Sequence, residues 1–360
     1  MDPYIPVTNA PGYVPSGVQA APVVRAVPFQ FSGNAKEYFR IWIVNTLLTI
    51  VTLGIYSAWA KIRTKRYFYR NTSLEGASFD YLANPIPILK GRIIAAVALG
   101  LLFGSQYYSP VLYAVLAIAY VLATPWVVVK ALAFNARNSS YRNVRFAFTG
   151  RTGEAAGLYL GMLLLQMVSC GMAAPYAQWR MTSFIVTRHL YGDLRLEWGS
   201  TSGAYYRAYV IAVAMTLPIY AVFAGVLVGA TVAGDSQAAL GLMVPLTIGL
   251  YALLLIPAAY LNASLANLVY SGISLGPHRL ACNQRWTELL KIYAVNLLGI
   301  GLSLGLLIPW AKVRLAAFRA KSLTLHVSGT FLAETLLDEE ANALGEGMSD
   351  LGDFDVGIGA

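Results

Sequence analysis

Neither lysine nor arginine occurs between Arg92 and Lys130, or between Arg207 and Arg279, in a chain of 360 residues. An ordinary soluble domain spreads charge along its length, so gaps of this size exclude that class. Each gap holds more apolar sequence than the ~20 residues one bilayer crossing requires. Charge is scarce elsewhere too, at 12% against 57% hydrophobic residues. The two cysteines, Cys170 in an apolar stretch and Cys282 beside a basic loop, give neither CxxC nor a disulfide framework. His189, His278 and His326 stand far apart in the sequence, which leaves no zinc-ligand cluster. GxSxG, Walker A, HExxH and paired-carboxylate patterns are missing, so neither an enzyme nor a cofactor is expected. The first 38 residues show no charged segment followed by an apolar core and cleavage site, so insertion is expected to use internal segments.

What is present reads as a polytopic membrane protein. Each cation-free gap suggests a helical hairpin, broken near "GSQYYSP" (104 to 110) and "VAGDSQA" (232 to 238). The expected spans are 93 to 107, 111 to 130, 208 to 231 and 239 to 264, in hairpins over 93–130 and 208–264. Residues 1–28, rich in Pro, Gly and small side chains, read as a disordered tail. Residues 334–360 read as an acidic tail, carrying eight of the 17 acidic residues and no basic one. The remainder has 26 Lys and Arg against nine acids, so the embedded body is far more basic than the net charge of +9.

"NTLLTIVTLGIYSAWAKIR" from Asn45 matches "NLLGIGLSLGLLIPWAKVR" from Asn296 at one constant offset. The match pairs Gly54 with Gly305, Trp59 with Trp310, Lys61 with Lys312 and Arg63 with Arg314. A weaker copy places Gly171, Pro175 and Arg180 opposite Gly54, Ala58 and Arg63. Upstream, Glu37, Glu154 and Glu288 correspond, as do the FxFxG runs ending at Gly33 and Gly150. This predicts three internal repeats. They cover 29–145 (apolar segment 39–58), 146–279 (apolar segment 156–175) and a partial 280–333 (apolar segment 290–309). The expected fold is therefore an all-α polytopic membrane protein built from three repeats, with short β-like pieces on the cytoplasmic face.

Both loops flanking the middle apolar segment are basic, with Arg137, Arg142 and Arg145 before it and Arg180, Arg188 and Arg195 after it. Four crossings put every Lys and Arg on one side, whereas seven would expose Arg180, Arg188 and Arg285 outside. Re-entrant segments broken at Gly54, Gly171 and Gly305, with Pro175 and Pro309 clashing against the preceding turn, follow from that asymmetry. Spanning segments in inverted repeats are the rival.

Trp59 and Trp310 beside Lys61 and Lys312 read as belt aromatics with snorkelling lysines. The sharper reading makes Lys61, Arg63, Arg180, Lys312 and Arg314 a basic vestibule for anions or anionic lipid headgroups. Glu37, Glu154 and Glu288 suit helix N-termini; their alternative is a ring of carboxylates. Asn45 and Asn296 inside apolar segments need partners, by helix packing or ligand binding. "FNARNSSYRNVRF" (134 to 146) reads as a basic loop touching phospholipid; no RNP, KH or helix-turn-helix pattern supports nucleic acid.

The run from "FQFSGNAKEYF" through "GIYSAWAKIRTKRYFYRNTSLEGASFDYLANP", with "FNARNSSYRNVRF" and "IPWAKVR", resembles the YjgN-like family of bacterial inner-membrane proteins over about residues 29 to 333. The resemblance implies a multi-pass inner-membrane protein and supplies no substrate, cofactor or catalytic residue. Both termini are expected in the cytoplasm. Two functions stay open: a transporter or channel-like protein acting on a small solute, and a membrane-organising or anionic-lipid-binding scaffold.

Overall fold

The computed structural model describes residues 24–232 and 236–328. Most of the expected N-terminal tail, the acidic tail and the second outer turn with Asp235 lie outside the described residues. The chain enters through β1 (Val24–Pro28) and β2 (Gln30–Phe31), so the last residues of the expected tail are strand. Then come α1 (Ala35–Val51), α2 (Ser57–Arg70), β3 (Thr72–Leu74) and β4 (Ala77–Tyr81). After α3 (Pro85–Ser105) and α4 (Pro110–Asn138) follow β5 (Ser139–Tyr141) and β6 (Val144–Phe148). The same order recurs in α5 (Thr152–Val168), α6 (Ala174–Thr187), β7 (His189–Tyr191) and β8 (Leu194–Trp198). It recurs again in α7 (Ser202–Val232), α8 (Ser236–Tyr270), β9 (Ile273–Leu275) and β10 (His278–Cys282). The described chain ends with α9 (Trp286–Leu302), α10 (Ile308–Lys321) and β11 (Leu323–Ser328).

Strands β2 to β11 pair antiparallel in chain order, and β11 then pairs with β1. Only Phe29 separates β1 from β2, and its N–H donates to Leu323 O at 3.1 Å. The two ends of the strand order are thus one stretch of chain, with β1 bonded to β11 and β2 to β3, and the sheet curls into a near-closed barrel. Two-residue turns occupy one rim. Glu75–Gly76 and Arg142–Asn143 have both central residues at positive φ, the type I′ geometry that matches strand twist. Every helical pair leaves from the other rim and returns to it. Each helix packs on its chain neighbour and α10 packs on α1, so ten helices form a closed ring above the barrel.

This overturns the all-α class and the three-repeat plan. The organising element is an 11-stranded antiparallel sheet, and five helical pairs alternate with its strands around one ring. Residue matching saw only the three short pairs, because helices long enough to span a bilayer share no side-chain pattern with the 17- and 14-residue helices. The strands are two to six residues long and read singly as peripheral pieces. Only their pairing across hundreds of residues makes a barrel.

Inside the barrel Val27, Leu74, Tyr141, Val144, Tyr191, Leu325 and Val327 form one buried cluster. Tyr141 Oη donates to Leu74 O at 2.7 Å and Tyr191 Oη to Tyr141 O at 3.1 Å, so the buried phenols are satisfied by backbone. The FxFxG motif also acquires its cause here. A Cβ at Gly33 would lie 2.4 Å from the Phe31 ring, and one at Gly150 2.6 Å from that of Phe148.

Among the described residues, four helices are long and apolar enough to cross a membrane: Pro85–Ser105, Pro110–Asn138, Ser202–Ala230 and Met243–Tyr270. They contain or overlap the four expected spans. Asn84 and Ser109 cap α3 and α4 directly before prolines, where a missing N–H costs no helix bond.

The three apolar segments each end in a hydrogen-bonded reversal. Leu53, Cys170 and Leu304 adopt φ near 50°, and Gly54, Gly171 and Gly305 follow at 91°, 84° and 93°. The glycine N–H groups bond the carbonyls of Thr49, Gln166 and Ile300 at 2.8, 2.8 and 2.9 Å, the longer bond of a Schellman cap. The two prolines do not break a helix as expected. Pro175 and Pro309 sit in the first turns of α6 and α10, where no partner four residues back is required. The glycine caps stop the helices, and the prolines start the next ones.

Candidate functional site

A polar cavity of about 750 Å³ lies where α1, α2, α3 and α10 meet at the helix ring. Helical spacing selects its walls. From α1 come Tyr38, Trp42, Asn45, Thr46, Thr49 and Ile50, residues four, seven, eight, eleven and twelve beyond the first and therefore on one face. Lys61, Thr64, Lys65 and Phe68 of α2 share one stripe, and Lys312, Leu315, Ala316 and Arg319 of α10 repeat that spacing. Arg92 of α3 completes the lining. Among the described residues, five cations and no carboxylate line this space. Low-dielectric walls around charges of one sign raise the local concentration of the opposite sign, so this lining favours negative over positive charge. Lys65 is held in place by Asn135 Oδ1 at 3.2 Å and lies over the Tyr81 ring.

Of the residues singled out in the sequence, Lys61, Lys312 and Asn45 stand in these walls. Arg63 is turned along α2, donating to Tyr56 Oη at 2.9 Å and, at 3.4 Å, to Asn45 Oδ1. Arg314 lies over the Trp310 ring at 5.2 Å, and Arg180 over Trp179 at 5.9 Å, with neither lining the cavity. Trp59 stacks on Tyr56. Asn45 and Asn296 are buried, each bridging to the next helix through a long bond, to Ala60 O at 3.5 Å and Ala311 O at 3.4 Å.

Glu37, Glu154 and Glu288 occupy the first turns of α1, α5 and α9. Glu154 pairs with Arg188 at 3.1 Å, and Glu288 approaches Arg285 at 4.0 Å. They serve three separate helix ends. Gly54, Gly171 and Gly305 lie at the turn tips, away from the cavity walls.

Sequence reasoning missed Lys65, Arg92 and Arg319. Lys65 lies four residues beyond Lys61 and Arg319 seven beyond Lys312, so a search for basic stripes at helical spacing would have found both. Nothing in the sequence marks Arg92, which reaches the site because α3 packs on α2. Among the described residues, no group of three or more His, Cys, Asp or Glu side chains stands together. Burial pushes the Cys282 thiol up to about 11, which leaves it protonated at neutral pH and a poor nucleophile.

Comparison with known proteins finds relatives by sequence. The family model described as "Bacterial protein of unknown function (DUF898)" matches residues 26–351. The inner membrane protein YjgN of Salmonella typhimurium is 27% identical over 352 residues, covering 81% of this chain and 86% of that protein. Proteins of the same name from Escherichia coli O157:H7 and strain K12 are 32% and 33% identical over 121 and 129 residues. Those two matches cover 33% of this chain and 30% of each relative. No solved structure matches.

Proposed function

Because the chain belongs to the DUF898 family of bacterial proteins of unknown function, we propose that it is an inner-membrane protein that binds an anionic solute in its helix ring and transports it. One observation carries this reading: among the described residues, five cationic side chains and no acidic one line a 750 Å³ cavity. Exposed cations on a solvated face would mostly point apart, whereas these converge from three helices.

In the proposed orientation the barrel and its cations face the cytoplasm, α3–α4 and α7–α8 cross, and the three short pairs dip into the bilayer and return. The short-pair tips favour that placement. Leu53, Val168 and Leu304 are 94%, 85% and 94% exposed, which is a heavy cost in water and none in lipid. The reading assigns no catalytic step to any residue.

Uptake of labelled phosphate, sulfate and acetate into proteoliposomes tests it. Flux of at least one anion is expected, with a loss of about tenfold or more for Lys61→Gln combined with Lys312→Gln, since each removes a charge-assisted contact of roughly 1.5–3 kcal/mol. Tight vesicles with no flux of any anion would sink the transport step.

A second reading, a scaffold gripping anionic lipid headgroups, is favoured by the same apolar tips beside cationic helices. It predicts retained binding to phosphatidylglycerol vesicles with no flux, and that binding should weaken in the same double variant.

A further inference from the structure

We propose that the anion held in the basic cavity is the head of an amphiphile whose apolar tail lies inside the barrel. The inference rests on the anion-binding reading above and adds the chemical class of the ligand. A second cavity of about 240 Å³ occupies the barrel interior, walled by side chains such as Leu74, Phe79, Leu196, Leu275 and Leu325. Phe68, Ala316 and Arg319 line both cavities, so the two spaces adjoin and a cation stands at their junction.

Of the four tyrosines that line it, Tyr141 and Tyr191 donate their hydroxyls to backbone carbonyls, and Tyr69 Oη accepts from Ser139 Oγ at 3.2 Å. Most of the remaining wall is aliphatic or phenylalanine, so the lumen offers a guest chiefly dispersion contacts. An apolar cavity of about 150 Å³ holds benzene and stays dry without it, so this one has room for roughly eight to ten carbon atoms.

Buried Val144 and Val327 lie toward the turn rim, where Glu75 bridges Arg25 and, at 3.0 Å, Arg142. A tail entering past Phe68 runs along this apolar wall while its head remains among the cations. A carboxylate or phosphate on a medium-length acyl chain fits both halves, whether it arrives free or within a membrane lipid.

The test measures equilibrium binding of radiolabelled acetate, hexanoate, decanoate and hexadecanoate to the full chain in phosphatidylcholine nanodiscs, with empty discs subtracted. Affinity should rise about threefold per added methylene up to roughly ten carbons and then level off. Leu275→Trp, or the milder Leu196→Phe, should flatten the chain-length dependence and leave acetate binding unchanged. Lys61→Gln with Lys312→Gln should weaken acetate and decanoate alike. Repeating the measurement in phosphatidylglycerol discs separates the sources: competition there identifies a membrane lipid, and its absence a free acid, either of which supports the assignment.

Acetate binding with no dependence on chain length would overturn the inference and leave the anion site standing. Absence of binding by every probe would overturn both. Chain-length dependence that survives both barrel substitutions would place the tail elsewhere and also overturn it.

Discussion

Closure of the barrel by its first strand can be tested with a single covalent bond. Val24 lies directly opposite Ser328 in the β1–β11 ladder. Opposite residues on antiparallel strands have Cα atoms about 4.5–5.5 Å apart, inside the roughly 4.4–6.8 Å window of a disulfide. Val24→Cys with Ser328→Cys, in a background where Cys170 and Cys282 are serine, should therefore oxidise without backbone movement. The bond closes a loop of roughly 300 residues, and the chain-entropy relation gives an upper limit of about 5–6 kcal/mol of stabilisation. Residual structure of the unfolded chain in detergent reduces that figure, so 2–4 kcal/mol is the expected range. Non-reducing gels read the bond as a faster-migrating monomer, and melting with and without reductant reads its effect. The neighbouring pair Ser140 and Arg145, opposite each other in the β5–β6 hairpin, serves as a positive control. If the control pair cross-links while Val24 and Ser328 remain reduced, the ring of strands is open.

Two further outcomes follow from the barrel interior. Tyr141→Phe removes the donor to Leu74 O and keeps the ring, so it should cost about 1 kcal/mol, and combination with Tyr191→Phe should be non-additive because Tyr191 bonds the Tyr141 carbonyl; melting of the three variants checks this. Stability should also fall with acid. Burial holds His278 below the usual histidine range despite the opposing charge of Glu75, and its Nδ1 accepts the Ser328 N–H at 3.2 Å, a bond that protonation removes. Burial likewise lowers His189, against the pull of Ile185 O. Below about pH 6.5 the unfolded chain binds protons that the folded chain refuses, so the melting temperature should be flat above pH 7 and decline below 6.5; His278→Asn should shallow that decline.

Membrane character, the positions of the four long apolar helices and the three glycine reversals were legible in the sequence because each is a local signal. Hydropathy marks a span within twenty residues, and Gly54, Gly171 and Gly305 sit where a left-handed cap is needed. The barrel was hidden for the opposite reason. The β3–β4 stretch reads as a short β-like piece, yet nothing near it says that Tyr81 pairs with Ser139 across two membrane-length helices. Two of the five cavity cations, Lys61 and Lys312, were visible in the sequence. Lys65 and Arg319 lie on stripes that matter only once α10 is packed on α1, a contact between residues more than 250 positions apart, and Arg92 has no sequence signal. Arg63 and Arg314 looked equivalent to the lysines by sequence, but helix geometry turns them about 200° from those residues, toward Tyr56 and Trp310.

The account as a whole requires the barrel and the hairpin turn between α3 and α4 to lie on opposite sides of the inner membrane. Single cysteines at Tyr107, 83% exposed in that turn, and at Arg195, exposed on β8, can be probed with a membrane-impermeant maleimide, Cys170 and Cys282 having been replaced by serine. Intact spheroplasts should label Tyr107→Cys and leave Arg195→Cys unlabelled until the membrane is permeabilised. Labelling of Arg195→Cys from outside would contradict the account.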